Sequence, residues 1–290
     1  MVLTTRQRLV LLAPFILLVV PFLIWPALFS FFASFTSYSP FRPNTHFVGL
    51  RNYSRLLADS TFRKSLTNVV MFAVVIVAAQ MVFGLAIAYS LRREFRGRTV
   101  MRSVLLTPWL ISPIASGVMW HYMFNARTGL FDLFPALVGL PTAPSPIASL
   151  RLAFWAVSLA EIWRQSSFVA FLILPGLLAI PQSQWDNARL DGLSLLAQMR
   201  HVVIPRLRVL LLTILLLLIA NTLGMSESIL LLSRGGPGTK TMTPGLYSYY
   251  KAIHAGNWSL ASTAGWFITA GVLIVGLIYL LMVRKRETEL

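Results

Sequence analysis

Residues 209–232 read VLLLTILLLLIANTLGMSESILLL. The first twelve positions hold no charge and a single hydroxyl, so no polar face exists to meet water. A helix needs roughly 20 apolar residues to cross a hydrocarbon core of about 30 Å, and this stretch meets that length. It is read as a membrane span.

Comparable runs lie on both sides of it. Upstream they cover about Leu9 to Phe35, Asn68 to Leu91, Ser103 to Phe124 and Leu152 to Ile180. Downstream, one covers Ser259 to Val283, so six spans are expected in an all-α, polytopic fold forming one domain over residues 1–290. The first run follows Arg6 and Arg8 as a signal peptide would, but it is too long for the 7–15-residue apolar region of one. Pro14, Pro21 and Pro26 interrupt this run, and Pro108 and Pro113 are expected to kink the third. Thr36 to Thr67, Asn125 to Leu150 and Ser233 to Trp258 carry turn residues and read as loops on one side of the membrane.

Composition supports the same reading. The chain of 290 residues is 57% hydrophobic and 12% charged, with mean hydropathy +0.73. That charge content is about half what a soluble domain carries. The net charge of +16 does not indicate nucleic acid, because the cations cluster between apolar runs and form no continuous face. With no cysteine, thiol chemistry and disulfides are excluded. Lys and Arg set the orientation: with both termini cytoplasmic, 14 lie inside and 10 outside, and the inner ones hug the span ends.

In that orientation the longest internal connection is 181–208, PQSQWDNARLDGLSLLAQMRHVVIPRLR. Ser183 with Asp186 has the form of a capping box, and Gln184 to Leu190 of a short helix. Asp191-Gly192 forms a tight turn, Ser194 caps a second helix, and Pro205 marks entry to the fifth span. Such a hairpin suits docking on another protein. On spacing alone an amphipathic segment resting Trp185 and Leu190 on headgroups is equally open.

The stretch resembles the EAA loop of bacterial ATP-binding-cassette importer permeases, whose pattern is E-A-A, two residues, D-G-A, then an apolar helix ending I-x-x-P. Asp186-Asn187-Ala188, Asp191-Gly192-Leu193 and Val202-Val203-Ile204-Pro205 occupy those positions, with Asp186, Asn187 and Leu193 departing from the pattern. Phe47-Val48-Gly49-Leu50-Arg51-Asn52-Tyr53, Pro108-Trp109 with Trp120, and Gly235-Gly236-Pro237-Gly238 with Thr241, Tyr247 and Ala252 resemble segments of the sugar-type branch. The resemblance implies a type I importer transmembrane architecture in a bacterial inner membrane. It implies transport of a sugar, amino sugar or glycerol phosphate derivative. It also implies a second homologous permease, two cytoplasmic ATP-binding subunits holding ATP-Mg, and an extracytoplasmic solute-binding protein. Residues 181–208 become a cytoplasmic coupling loop, with Asp186, Ala188, Asp191 and Gly192 at the ATPase contact.

Inside the spans, Glu161 and Arg164 are three apart on one helix face and can pair. Trp163, Asn221 and Glu227 could line a sugar pathway; the competing reading is helix–helix hydrogen bonding. Trp120 and His121 read as interfacial anchors. Gly235 to Thr241 is no phosphate-binding loop, since Thr239 splits Gly from Lys, so neither a cofactor nor a metal is expected in this chain. Two rivals remain. A membrane-embedded enzyme needs clustered acids or histidines, whereas the nine acids are scattered. A stand-alone ion-coupled transporter would carry inverted halves with broken helices.

Overall fold

The computed structural model describes residues 5–42, 44–126, 129–130, 133, 137 and 145–287. Most of the connection expected over 125–150, and the tail beyond Glu287, lie outside these residues. The described residues are helical apart from loops and one isolated bridge, Thr36 to Phe47.

The helices are α1 (Leu11–Ser34), α2 (Arg51–Ala58), α3 (Ser60–Arg92), α4 (Arg98–Leu110) and α5 (Pro113–Met123). There follow α6 (Ala153–Leu178), α7 (Gln182–Leu190), α8 (Leu195–Leu223), α9 (Glu227–Leu232), α10 (Pro244–Ile253) and α11 (Trp258–Glu287). Five of them, α1, α3, α6, α8 and α11, are long and apolar enough to cross a membrane. The pair α4–α5, bent by 95° at its break, makes a sixth when the two are counted as one broken span. On α1 and α11 large apolar side chains such as Phe22, Leu23, Leu273 and Leu281 are exposed, as lipid-facing helices require.

Three expectations need correction. The third span is broken, not kinked, because Ser112 precedes Pro113 and therefore takes an extended backbone (φ −59°, ψ 151°). Its Oγ then accepts from the Ala115 amide at 3.2 Å and starts α5 anew. The fifth span does not run on to Leu232; it stops at Leu223, and Gly224-Met225-Ser226 separates it from α9. Two of the expected loops contain helices, α2 and α10, too short and too polar to register as spans.

The chain divides into two compact units. One comprises the chain up to Phe62 together with Tyr247–Phe267. Within it Asn52 is buried, and its Nδ2 donates to the carbonyls of Ser34 and Thr36, both at 2.8 Å. Those carbonyls lie at the end of α1, where helical partners run out. Asp59 gathers a second knot: it accepts from Tyr247 Oη at 2.7 Å and from the Thr61 amide at 2.8 Å, and Lys251 Nζ lies at 3.2 Å.

The other unit comprises Arg63–Leu246 and the chain from Ile268 onward. Its centre is α3 against α6, where Gly84 lets the helices meet: a Cβ there would strike Val169. Below them lie Leu91, Ile173, Leu177, Trp185, Val203 and Leu207 in one apolar cluster. The half-helices α5 and α9 pack on each other through Gly117, whose added Cβ would stand 2.6 Å from the Ser228 carbonyl oxygen. That neighbour is backbone and cannot yield cheaply. Gly117→Ala should therefore cost about 1–3 kcal/mol of stability. Gly276→Ala, where a Cβ meets nothing within 4 Å, should cost none. Thermal unfolding of the two variants in detergent would check this, and equal midpoints would refute the close approach.

Burial raises the Asp59 carboxyl, but the hydrogen bonds from Tyr247, Lys251 and the amides of Phe62 and Thr61 outweigh it and hold the pKa below the usual value. Asp59 thus binds a proton less readily folded than unfolded. Its stabilisation is complete above the unfolded value, near ~3.9, and is lost as the pH falls through the lower folded value. Amide exchange at Thr61 and Phe62 should accelerate across that acidic window in the native chain. In Asp59→Asn that acid-dependent step should be absent.

Candidate functional site

The break in the fifth span opens a cavity of about 330 Å3, lined by Pro113, Arg164, Asn221, Gly224, Ser226 and Glu227 among others. Its volume is at the lower end of small-molecule pockets. Two of the three residues expected on a pathway, Asn221 and Glu227, share this wall. Trp163 does not: its ring packs edge-on against Trp120, centroids 5.7 Å apart. Trp120 itself is buried, also against Phe124, so it is a core residue and no interfacial anchor. His121 Nδ1 meets the Leu232 carbonyl at 2.8 Å, tying α5 to the end of α9.

The polar groups around Arg164 are buried. Glu161 and Arg164 pair at 3.0 Å with side chains only 4% and 8% exposed, as their spacing on α6 implies. Gln80 of α3 donates from Nε2 to the Glu161 carbonyl at 3.1 Å. Gln165 donates from Nε2 to Asn221 Oδ1 at 3.2 Å, linking α6 to the last turn of α8. Arg164 Nε and Gln165 Oε1 are buried with no partner among the described residues, which leaves one donor and one acceptor unmatched within the bundle. Sequence reading found the ion pair but not that Arg164 also faces the cavity. The signal was the three-residue step to Glu161 on a helix whose other polar residues, Ser158, Gln165, Ser166 and Ser167, are all buried.

The second site is the hairpin of α7 and the start of α8. The turn forms as expected, with Gly192 at φ +67° and Ser194 Oγ accepting from the Ala197 amide at 3.4 Å. The expected capping box does not form. Pro181 occupies the cap position, and Asp186 instead accepts from Gln182 Nε2 at 2.9 Å and pairs with Arg189 at 3.4 Å. Asp186, Asp191 and Gly192 are exposed. Ala188 is buried and shares the inward face of α7 with Trp185, which is 1% exposed. Trp185 therefore does not rest on headgroups; it plugs the apolar cluster under the guanidinium of Arg92, 3.6 Å from the ring centroid. Leu190, 85% exposed, Leu195 and Leu196 form an apolar rim on the free side.

Residues 80–287 match the model of the binding-protein-dependent transport system inner membrane component. The chain belongs to that family. The matched segment holds the hairpin, the broken fifth span and the cavity. Over 282 residues the chain is 32% identical to a trehalose/maltose transport system permease protein of Thermococcus litoralis, covering 96% of this chain and 93% of that one. It is 29% identical over 276 residues to an sn-glycerol-3-phosphate transport system permease protein of Rhizobium meliloti, covering 92% and 90%. A chain in the crystal structure of a bacterial transporter involved in import of the acidic polysaccharide alginate superposes with a TM-score of 0.82. The identity there is 17%, and 95% and 94% of the two chains are covered. The fold is that of an importer permease, and the chain is a multi-pass inner-membrane transport subunit, not an enzyme.

The buried pair makes a sharp test. Breaking it by removing one partner strands a charge away from water, at about 3–5 kcal/mol. Glu161→Gln should therefore destabilise the assembly markedly, while Glu161→Gln with Arg164→Met should recover most of the loss. Thermal midpoints of both variants and the parent would decide it; additive losses would show that the pair is not coupled.

Proposed function

We propose that the chain forms half of the solute pathway of an ATP-driven importer for a sugar or a glycerol phosphate. The names of its relatives support that class. A second homologous permease completes the pathway, two ATP-binding subunits carry ATP-Mg, and an extracytoplasmic binding protein delivers the solute. The hairpin lies on the cytoplasmic side with both termini, in keeping with the Lys and Arg that hug those span ends. ATP-driven closure of the ATPases moves a bistable pair of membrane bundles between two openings.

The observation that carries this reading is the hairpin: Asp186, Asp191, Gly192 and the Leu190 rim are exposed, while Trp185 and Ala188 anchor it inward. An exposed apolar rim on a rigid turn is a docking surface. Asn221, Glu227 and Arg164 line the cavity and would supply hydrogen bonds for solute hydroxyls.

The test is uptake of radiolabelled trehalose, maltose and glycerol 3-phosphate by the assembled importer in proteoliposomes. At least one should enter saturably with ATP. Gly192→Pro cannot adopt φ +67°, so it should insert normally, retain ATP hydrolysis and lose uptake. Normal uptake in that variant would overturn the docking role, and uptake of amino acids alone would overturn the solute class.

A further inference from the structure

The hairpin is joined to two spans by the chain itself, to α6 through 179–181 and to α8 by helical continuity. A third attachment is not covalent. Arg92, the last residue of α3, lays its guanidinium over the Trp185 ring at 3.6 Å and over the Tyr89 ring at 5.2 Å. Tyr89 Oη, one turn earlier, donates to Gln198 Oε1 at 3.1 Å, and Gln198 Nε2 donates to the Leu193 carbonyl at 2.9 Å, just after the turn. The end of α3 thus grips both arms of the hairpin at once. Arg98 fixes the base of that grip: its Nε donates to the Leu91 carbonyl at 2.9 Å and its Nη2 to the Arg92 carbonyl at 3.2 Å. These are carbonyls that the helix end leaves without partners.

Two facts indicate that this is more than a basic span end held by the inner-side charge bias. Arg92 forms no ion pair among the described residues; its contacts are aromatic faces, and its Nε is buried without an acceptor. And Trp185, the residue it covers, is the largest side chain that the hairpin puts into the apolar cluster. A planar guanidinium stacks on such a ring where an ammonium cannot.

We propose that Arg92 and Tyr89 are positioning residues that lock the hairpin to α3, so that displacement of the hairpin is delivered to a third span and not absorbed by pivoting at 180–181 and 191–192. The proposal rests on the docking role given to the hairpin above.

Spin labels at Leu190 and Val82, both exposed on the hairpin and on α3, read the lock directly in the assembled importer. In the parent, the distance between them should be narrow and the same in the nucleotide-free and ATP-bound states. In Arg92→Ala, and in Arg92→Lys, which keeps the charge but not the stack, it should broaden and shift with ATP. A parent distance that changes by more than about one helical turn, ~5 Å, overturns the lock. So does an Arg92→Ala distance as narrow as the parent's. The Leu190 label alone tests the underlying reading: if adding the ATPase subunits leaves its mobility unchanged, docking at the hairpin fails, whatever Arg92 does.

Discussion

Hydrocarbon offers no partner to a backbone amide or carbonyl, so a span that breaks must find its hydrogen bonds inside the protein. Two spans are broken among the described residues, and both breaks find their hydrogen bonds within the protein. At Ile111-Ser112 the Ser112 hydroxyl takes up an amide of the new helix. At Gly224-Met225-Ser226 the buried Thr243 hydroxyl donates to the Met225 carbonyl at 2.6 Å. The half-helices that follow the two breaks, α5 and α9, then complete one another through the bare backbone of Gly117. His121 closes the far end of α9 by meeting the Leu232 carbonyl. A cavity exists because the breaks exist; a continuous fifth span would fill it.

The same constraint governs charge. Glu161 and Arg164 would each be costly alone in a low-dielectric bundle, and their pairing at 3.0 Å offsets that cost. Pairing engages one guanidinium nitrogen, and Arg164 lines the cavity as well. A group can in this way be structural and still line a cavity. The two readings weighed for polar residues in the spans, helix–helix glue and solute contact, are therefore not alternatives at Arg164, nor at Asn221, which accepts from Gln165 while lining the cavity.

How much of this was legible follows from what each signal measures. The spans were legible because twenty apolar residues in a row have few other meanings, and the 191–194 turn because Gly and Ser at those positions solve specific backbone problems. The breaks were not. Residues 224–232 look apolar enough to continue a span, and what stops the helix is the packing of α9 against α5, a contact over a hundred residues apart in sequence. Trp120 departs from its reading as an interfacial anchor, and Trp185 from the headgroup alternative left open for it, for a related reason. Tryptophan near a span end is usually interfacial, and only the neighbours Trp163 and Arg92 show these two turned inward. Asn52 lay in a motif noted for resemblance; its role in closing the end of α1 comes from tertiary contacts alone.

One helix connects the two candidate sites. α8 begins in the hairpin at Leu195 and ends at Leu223, beside Asn221 and the cavity. At 1.5 Å per residue its 29 residues measure about 43 Å, more than a hydrocarbon core. A helix of that length transmits displacement only if it stays one body, and Pro205 threatens this by removing a backbone donor. The wide turn at Met199–Val203 ends one residue, Ile204, short of the proline, and Val203 and Leu207 on either side of Pro205 are buried in the apolar cluster with Trp185. The weak point of α8 is therefore held where the hairpin is anchored, and its far end stops where a solute could sense its movement. On the docking role proposed for the hairpin, a push at Leu190 need not cross the bundle through many side chains, because the backbone of α8 already spans the distance.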